Sequence, residues 1–334
     1  MKKSFLFASL LMSSAVLLSC SDDDNKQTVK ELMLFTSSNT SGMVSVTDLL
    51  PATPVVKQFM VNSTDADGIY YHPGSDQLIQ ASRSNNRLEV YGNFKQEYMN
   101  NASALTLTGM STADFTNARE MAASGNMIVV AQDQAASNSN MNKLFVYERM
   151  ASGLQLQKTF DVDFKLWGIQ FDGTSLYAIV DLTSDLVVFN NLLSNNSGAI
   201  TPNKRVTIEG LIRTHGIAYS SVEDVMVLSD VAAAASDVDG GLVIIKNFSN
   251  VFNATVNNGT IMMNKQIRIY GPNSMLGNPV DVAYDNVTKM IYVAERANGG
   301  GRLLSYMVPT TSGDYAPMMN RVEPGCTAVF LYRK

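Results

Sequence analysis

Two sets of polar residues in this chain recur at a spacing that could gather them into one site. The first set consists of Asp181, Asp230 and Glu295. Each sits five residues into an apolar run, at Leu176 to Leu182, Val225 to Val231 and Met290 to Arg296. Three carboxylates converging from neighbouring elements can hold a hard cation such as Ca²⁺, which takes six to eight oxygen ligands. They can equally serve as hydrogen-bonded strand ends, or as partners for Arg83, Arg119 and Arg296. Ser37, Arg83 and Gln132 take the same place in three earlier runs.

The second set stands ahead of those runs: Asp67, Ala118 with Arg119, Trp167, His215, and Val280 with Asp281. Trp167 is the only tryptophan, and His215 is one of two histidines, with His72. An indole at a pocket mouth can stack on a sugar ring or pack between elements. An imidazole that titrates near neutrality can act as a general base or cap a strand. Asp67, Arg83, Arg119, Trp167, His215 and Asp281 are therefore the candidate ligand-binding residues. There is no G-x-S-x-G elbow, H-E-x-x-H helix, P-loop or cysteine cluster to name a reaction.

Both sets are carried by a repeat. Apolar runs begin at Leu32, Leu78, Met127, Leu176, Val225 and Met290, so successive starts lie 46, 49, 49, 49 and 65 residues apart. Each run leads through a polar turn to a second apolar run, for example Leu88 to Tyr91 or Leu303 to Tyr306, which is the pattern of a β-hairpin. Five of the six hairpins are preceded by another short strand, beginning at Gly68, Arg119, Gly168, Gly216 and Asp281. The first hairpin lacks it, and a matching segment, Gly325 to Tyr332, stands at the C-terminus. With an outer strand added, each unit has the four strands of a propeller blade. The expected fold is all-β: a β-propeller of about six four-stranded blades, closed by the C-terminal strand pairing into the first blade. Closure removes the open edge that such a sheet would otherwise leave.

The segment Pro279-Val280-Asp281-Val282-Ala283-Tyr284, followed by Met290 to Glu295 and Arg302 to Tyr306, resembles the NHL-type repeat of the lactonase-like propellers, with weaker copies at Gly68, Gly168 and Gly216. That group contains binding scaffolds, hydrolases and lyases, so the resemblance does not choose among them. Lactonase-like enzymes place Glu, Asn and Asp around a metal ion, and no clear match to that set appears at the aligned positions. Two functions follow as expectations: a scaffold that binds a glycan, peptide or partner protein, or a metal-dependent hydrolase or lyase at Asp181, Asp230 and Glu295. The ten-residue segment from Ala232 to Gly241 reads as a long hairpin loop in the fifth blade, of a length that often carries function.

At the amino terminus, Lys2 and Lys3 precede an apolar stretch from Phe5 to Leu18, too short to span a bilayer, and then Leu17-Leu18-Ser19-Cys20. These are the parts of a secretory signal, and the tetrapeptide resembles a bacterial lipobox. The resemblance implies removal of residues 1–19, lipidation of Cys20, and an acidic tether over 20–29 before a propeller over 30–334. It makes the membrane a partner through the lipid anchor. The run Ser21-Asp22-Asp23-Asp24-Asn25 resembles a surface-export signal, so an outer-membrane protein displayed at the cell surface is expected. The only other cysteine is Cys326, and once Cys20 is lipidated no intramolecular disulfide is available. The net charge of −5 with 16% charged residues offers no basic patch of the kind nucleic acid requires.

Overall fold

The computed structural model of the protein describes residues 29–150 and 153–334. The signal peptide, Cys20 and the tether up to residue 28 lie outside the described residues. From Leu32 onward the chain forms six antiparallel sheets arranged as the blades of a propeller. The C-terminal strand Cys326–Arg333 is the innermost strand of blade 1, where it pairs with Leu32–Ser38 from Leu32↔Arg333 to Ser38↔Cys326. The two chain ends thus lock one sheet, as the missing first strand of the repeat implied.

The remaining inner strands are Ala66–His72, Ala118–Ser124, Leu166–Asp172, Thr214–Ser220 and Pro279–Asp285, for blades 2 to 6 in chain order. Second strands such as Met127–Gln132 and Val225–Asp230 are apolar along almost their whole length and buried on both faces. The packing explains this pattern. Val129, Leu144 and Phe160 of blade 3 meet Leu176, Val187 and Phe189 of blade 4, while Ile179 and Val206 of blade 4 meet Met226, Ile245 and Phe248 of blade 5. A sheet covered on both sides has no polar face, and alternation is lost from its sequence.

Two blades carry a fifth strand that the repeat does not announce. The connection between the third and fourth strands of blade 4 reaches back, and its Gly198–Ala199 pairs in parallel with the outer strand Gly153–Val162 of blade 3. Blade 5 does the same to blade 4, laying Gly259–Ile261 along Lys204–Ile208. Single parallel bridges, Met60↔Ala104 and Ile269↔Gly313, do it for blades 1 and 5. These connections occupy outer edges that would otherwise offer unpaired backbone groups to another chain.

Candidate functional site

A sixfold equivalence locates the site. In every blade the residue just after the second strand donates its N–H to the carbonyl just before the inner strand: Asn39 to Gly325, Arg83 to Asp65, Asp133 to Asn117, Asp181 to Lys165, Val231 to Arg213 and Arg296 to Asn278. Two residues beyond those carbonyls come Thr327, Asp67, Arg119, Trp167, His215 and Val280. All six line one cavity of about 210 Å³ at the end of the channel.

The inner strands share a device that turns these side chains inward. Pairing with the second strand slips between Asp67 and Ile69, Ala118 and Glu120, Leu166 and Ile169, Thr214 and Ile217, and Pro279 and Asp281. In blade 1 the same slip passes over Thr327. A bulge leaves its extra residue unpaired, bends the strand and re-aims the side chain. Glycine makes the closest approaches possible. A Cβ on Gly168 would stand 2.2 Å from the His215 carbonyl oxygen, and one on Gly216 would stand 2.8 Å from the Asp281 Cα.

The approach at Gly168 brings Trp167 and His215 into a parallel stack with ring centroids 3.4 Å apart. The Arg119 guanidinium carbon lies 4.0 Å from the Trp167 ring. Since the imidazole covers one face of the indole, that guanidinium must cover the other, in the geometry that favours a cation over a ring. Both faces of Trp167 are therefore occupied. The sugar-stacking role expected of Trp167 has no free ring face to work with, and the indole serves to align Arg119 and His215.

His215 is almost fully buried, at 1% exposure. Its Nε2 is 3.0 Å from Asp181 Oδ1, and Arg213 grips the same carboxylate through Nε at 2.7 Å and Nη2 at 3.0 Å. Burial opposes ionisation of Asp181, but the hydrogen bonds from His215 and Arg213 outweigh it and hold the carboxyl well below its usual range. Burial pulls His215 the other way, down to about 4, against the attraction of Asp181. The imidazole is thus neutral at pH 7. An ionised carboxylate can only accept, so Nε2 carries the proton and Nδ1 keeps a lone pair. That Nδ1 is buried and has no hydrogen-bond partner.

Beneath the mouth lies a ring of third residues: Gly68, Gly168, Gly216, Ala328, Glu120 and Asp281. Glu120 accepts from its neighbour Met121 N–H, and Asp281 accepts from Val282 and Val329 N–H at 2.7 Å each. Asp281 was expected at the mouth, but its carboxylate clamps the backbone of blade 6 to that of blade 1 and does not line the cavity. Burial raises Asp67 to about 6 despite Arg83 and Arg119, and raises Asp281 to about 7. Burial and the facing charge of Asp281 raise Glu120 well above its ordinary value.

The three carboxylates proposed for Ca²⁺ do not meet. Asp181 is engaged by Arg213 and His215. Asp230 accepts from the N–H groups of Ile212, Arg213 and Ala232 and from the Tyr270 hydroxyl, at 2.9–3.0 Å. Glu295 accepts from the N–H groups of Gly277, Asn278, Ala297 and Asn298. Their lone pairs tie strand ends to turns and are not free for a cation, which is the other role the sequence left open. Among the described residues, no group of three or more His, Cys, Asp or Glu is arranged to hold a metal ion.

The aligned residues slipped for a definite reason. The equivalent positions are Asn39, Arg83, Asp133, Asp181, Val231 and Arg296; of the aligned residues Arg83 and Asp181 stand at them, Gln132, Asp230 and Glu295 fall one residue short, and Ser37 two. A one-residue slip turns a strand side chain to the opposite face. Arg213, Asn39 and Asn278, which also line the cavity, have no role in the sequence reading, and Arg296, which lines it too, has one only as a partner for the carboxylates. The missed signal was positional: Arg213 directly precedes an inner strand and Arg296 directly follows a second strand.

No protein-family model matches the chain, and no curated protein matches it either. Solved structures do. A chain from a nidogen/laminin complex superposes with a TM-score of 0.61 at 10% identity, over 90% of this chain and 98% of that one. A candidate 6-phosphogluconolactonase from Bacteroides uniformis gives 0.60 at 11% identity, over 90% and 99%. A second, from Bacteroides fragilis, gives 0.59 at 11%, over 90% and 98%. At these identities the likeness shows the fold alone, and a fold shared by a binding complex and by candidate enzymes does not select a function.

Proposed function

We propose that the channel mouth is the working site and that it acts as a metal-free hydrolase of the lactonase-like kind on a small ester or lactone. The observation that carries this reading is the His215–Asp181 pair: a buried neutral imidazole, fixed by a carboxylate on Nε2, with an unshared lone pair on Nδ1. A base oriented by a third group is the general arrangement for activating a nucleophile. In the proposed step, Nδ1 takes a proton from water as the water oxygen bonds to the carbonyl carbon. The carbonyl electrons move onto oxygen, where Arg119 or Arg213 opposes the charge. Collapse of this intermediate expels the alkoxide, which takes the proton back from the imidazolium, and one water is consumed per bond cleaved. Two fold relatives are candidate lactonases by name, which supports the choice of substrate.

The test is hydrolysis of glucono-δ-lactone by the purified protein with a chelator present. His215→Gln should lower kcat by a factor of about 10²–10⁴, the usual contribution of a positioned base. Turnover that survives this substitution, or that vanishes on chelation, overturns the reading. A second reading is a binding propeller without catalysis. It is favoured by the weakness of a base whose conjugate acid has been pulled down to about 4. The cavity, at about 210 Å³, suits a molecule smaller than a typical drug.

The lipoprotein reading belongs with this proposal. Cys20 would hold the mouth outside the cytoplasm, and Cys20→Ser should move the protein from the membrane to the soluble fraction; unchanged membrane retention would remove Cys20 as the anchor.

A further inference from the structure

We infer that the ligand of this mouth is a small polyhydroxylated anion, a sugar-sized molecule bearing a carboxylate or phosphate, held by Arg296 at the rim. This deepens the proposed function and rests on the mouth being the working site.

The first observation is charge. Four guanidiniums, of Arg83, Arg119, Arg213 and Arg296, line the cavity against the single carboxylate of Asp67, in a chain whose net charge is −5. A concave site of one sign, set in a surface of the other, concentrates its field and draws counter-ions.

The second observation is how those guanidiniums are held. Arg83 is 3.1 Å from Asp67, Arg119 is 3.4 Å from Asp133, and Arg213 is paired with Asp181. Arg296 has no carboxylate partner among the described residues. With the Asn39 amide turned so that its oxygen faces the guanidinium, Nη2 and Nε donate to that neutral oxygen at 2.8 and 2.9 Å, and Arg296 is exposed. A neutral amide leaves the positive charge uncompensated and the remaining donors free for a carboxylate or phosphate, which arginine matches in shape.

The third observation concerns hydroxyls. Two buried atoms at the mouth, His215 Nδ1 and Asn278 Oδ1, lack hydrogen-bond partners, and so does the buried donor Arg119 Nε. His215 is 1% and Asn278 6% exposed. Buried polar atoms without partners are uncommon because each carries a desolvation cost. With Asp181 fixing the imidazole tautomer, Nδ1 is an acceptor, as is Asn278 Oδ1. An ionised carboxylate has no proton to give them, but a hydroxyl does. The complementary molecule therefore carries negative charge for Arg296 and hydroxyl groups for the two acceptors.

The experiment is calorimetric titration of the purified protein with D-gluconate, glucose 6-phosphate, inorganic phosphate and uncharged D-glucose. Gluconate or glucose 6-phosphate should bind at least about tenfold more tightly than glucose and more tightly than phosphate, and the stronger of the two identifies the anionic group. Affinity should fall as salt rises from about 0.05 to 0.5 M, since a solvent-facing arginine is screened. Arg296→Gln, at an exposed position where folding is not at stake, should weaken the charged sugars about tenfold or more, while Lys246→Gln on an exposed strand end should not. Glucose bound as tightly as both gluconate and glucose 6-phosphate, or no effect of Arg296→Gln, overturns the anion inference without touching the hydrolase reading. Anion binding that obeys these expectations in a protein with no lactone turnover removes the hydrolase and keeps the anion site.

Discussion

Two cavities of about 210 Å³ are built on opposite principles: the mouth, and a foot between blades 1 and 2 at the far ends of their inner strands Cys326–Arg333 and Ala66–His72. The mouth gathers four arginines, three bulged strands carrying ionisable groups, and buried atoms without partners. The foot is an aromatic nest: Phe35, Tyr71, Phe94 and Tyr332 meet with ring centroids 5.0–5.3 Å apart, and its rim carries one ion pair, Lys95 with Glu31 at 2.6 Å. At the foot the inner and second strands pair in unbroken register, Tyr71↔Leu78 and His72↔Gln77. At the mouth that register slips in every blade. The foot is built by aromatic packing with one buried atom, Glu31 Oε2, left without a partner, and the mouth leaves His215 Nδ1, Asn278 Oδ1 and Arg119 Nε so. Strain and unpaired polar groups collect where a protein functions and are compensated elsewhere in the fold.

The largest effect expected from this contrast is on stability at the foot. Phe94 is 2% exposed and touches the rings of Phe35, Phe59, Tyr71 and Tyr98. Phe94→Ala should cost about 3–5 kcal/mol, the range for emptying a buried aromatic site, and should do so equally at pH 6 and pH 8. Denaturant unfolding at both pH values measures it. A loss below about 1 kcal/mol would mean the foot is slack and the contrast false.

The sequence announces the blades, their closure and half of the mouth. Its 49-residue spacing marks the blades, because each blade needs the same four apolar strands, and the orphan Gly325–Tyr332 segment marks the closure. The second residues of the inner strands were legible for the same reason. Asp67, Arg119, Trp167 and His215 sit at one fixed distance from a strand that can be seen. What could not be read was anything that depends on the bulges. A slip of one residue is invisible in a run that is apolar on both faces, so Asp230 and Glu295 were grouped with Asp181 although they turn toward backbone N–H groups. Arg296, one place later, enters the sequence reading only as a partner for those carboxylates. The back-reaching strands at Gly198 and Gly259 were equally hidden, since two or three residues paired in parallel leave no pattern. The long fifth-blade loop does contribute, through Ala234, whose carbonyl accepts from the Asn278 amide beside the mouth.

A smaller effect, of opposite sign, is expected at the mouth. Asp67 and Asp281, raised to about 6 and about 7 by burial, bind protons more tightly folded than unfolded, where such groups titrate near 3.8. Their stabilising contribution is therefore complete below about pH 4 and lost as pH rises through 6 and 7. His215, lowered by burial to about 4 from 6.5, has the reverse effect: the unfolded chain takes up its proton first, and stability falls as pH drops from about 6.5 to 4. Between pH 8 and 6.5 only the acids act strongly, so the protein should melt at a higher temperature at pH 6.5 than at pH 8. Glu120→Gln isolates the cause. The amide oxygen keeps the bond from Met121 N–H, the new N–H₂ can donate toward Asp281, and the cost of either burying the Glu120 charge or neutralising it with a proton disappears. The variant should gain on the order of 1–2 kcal/mol at pH 8, within the range for single substitutions, and markedly less at pH 6. Thermal melts of both proteins across that interval decide the matter. A variant no more stable than its parent at pH 8 would show that the ring beneath the mouth holds its charges at no cost, and that mouth and foot differ in shape alone.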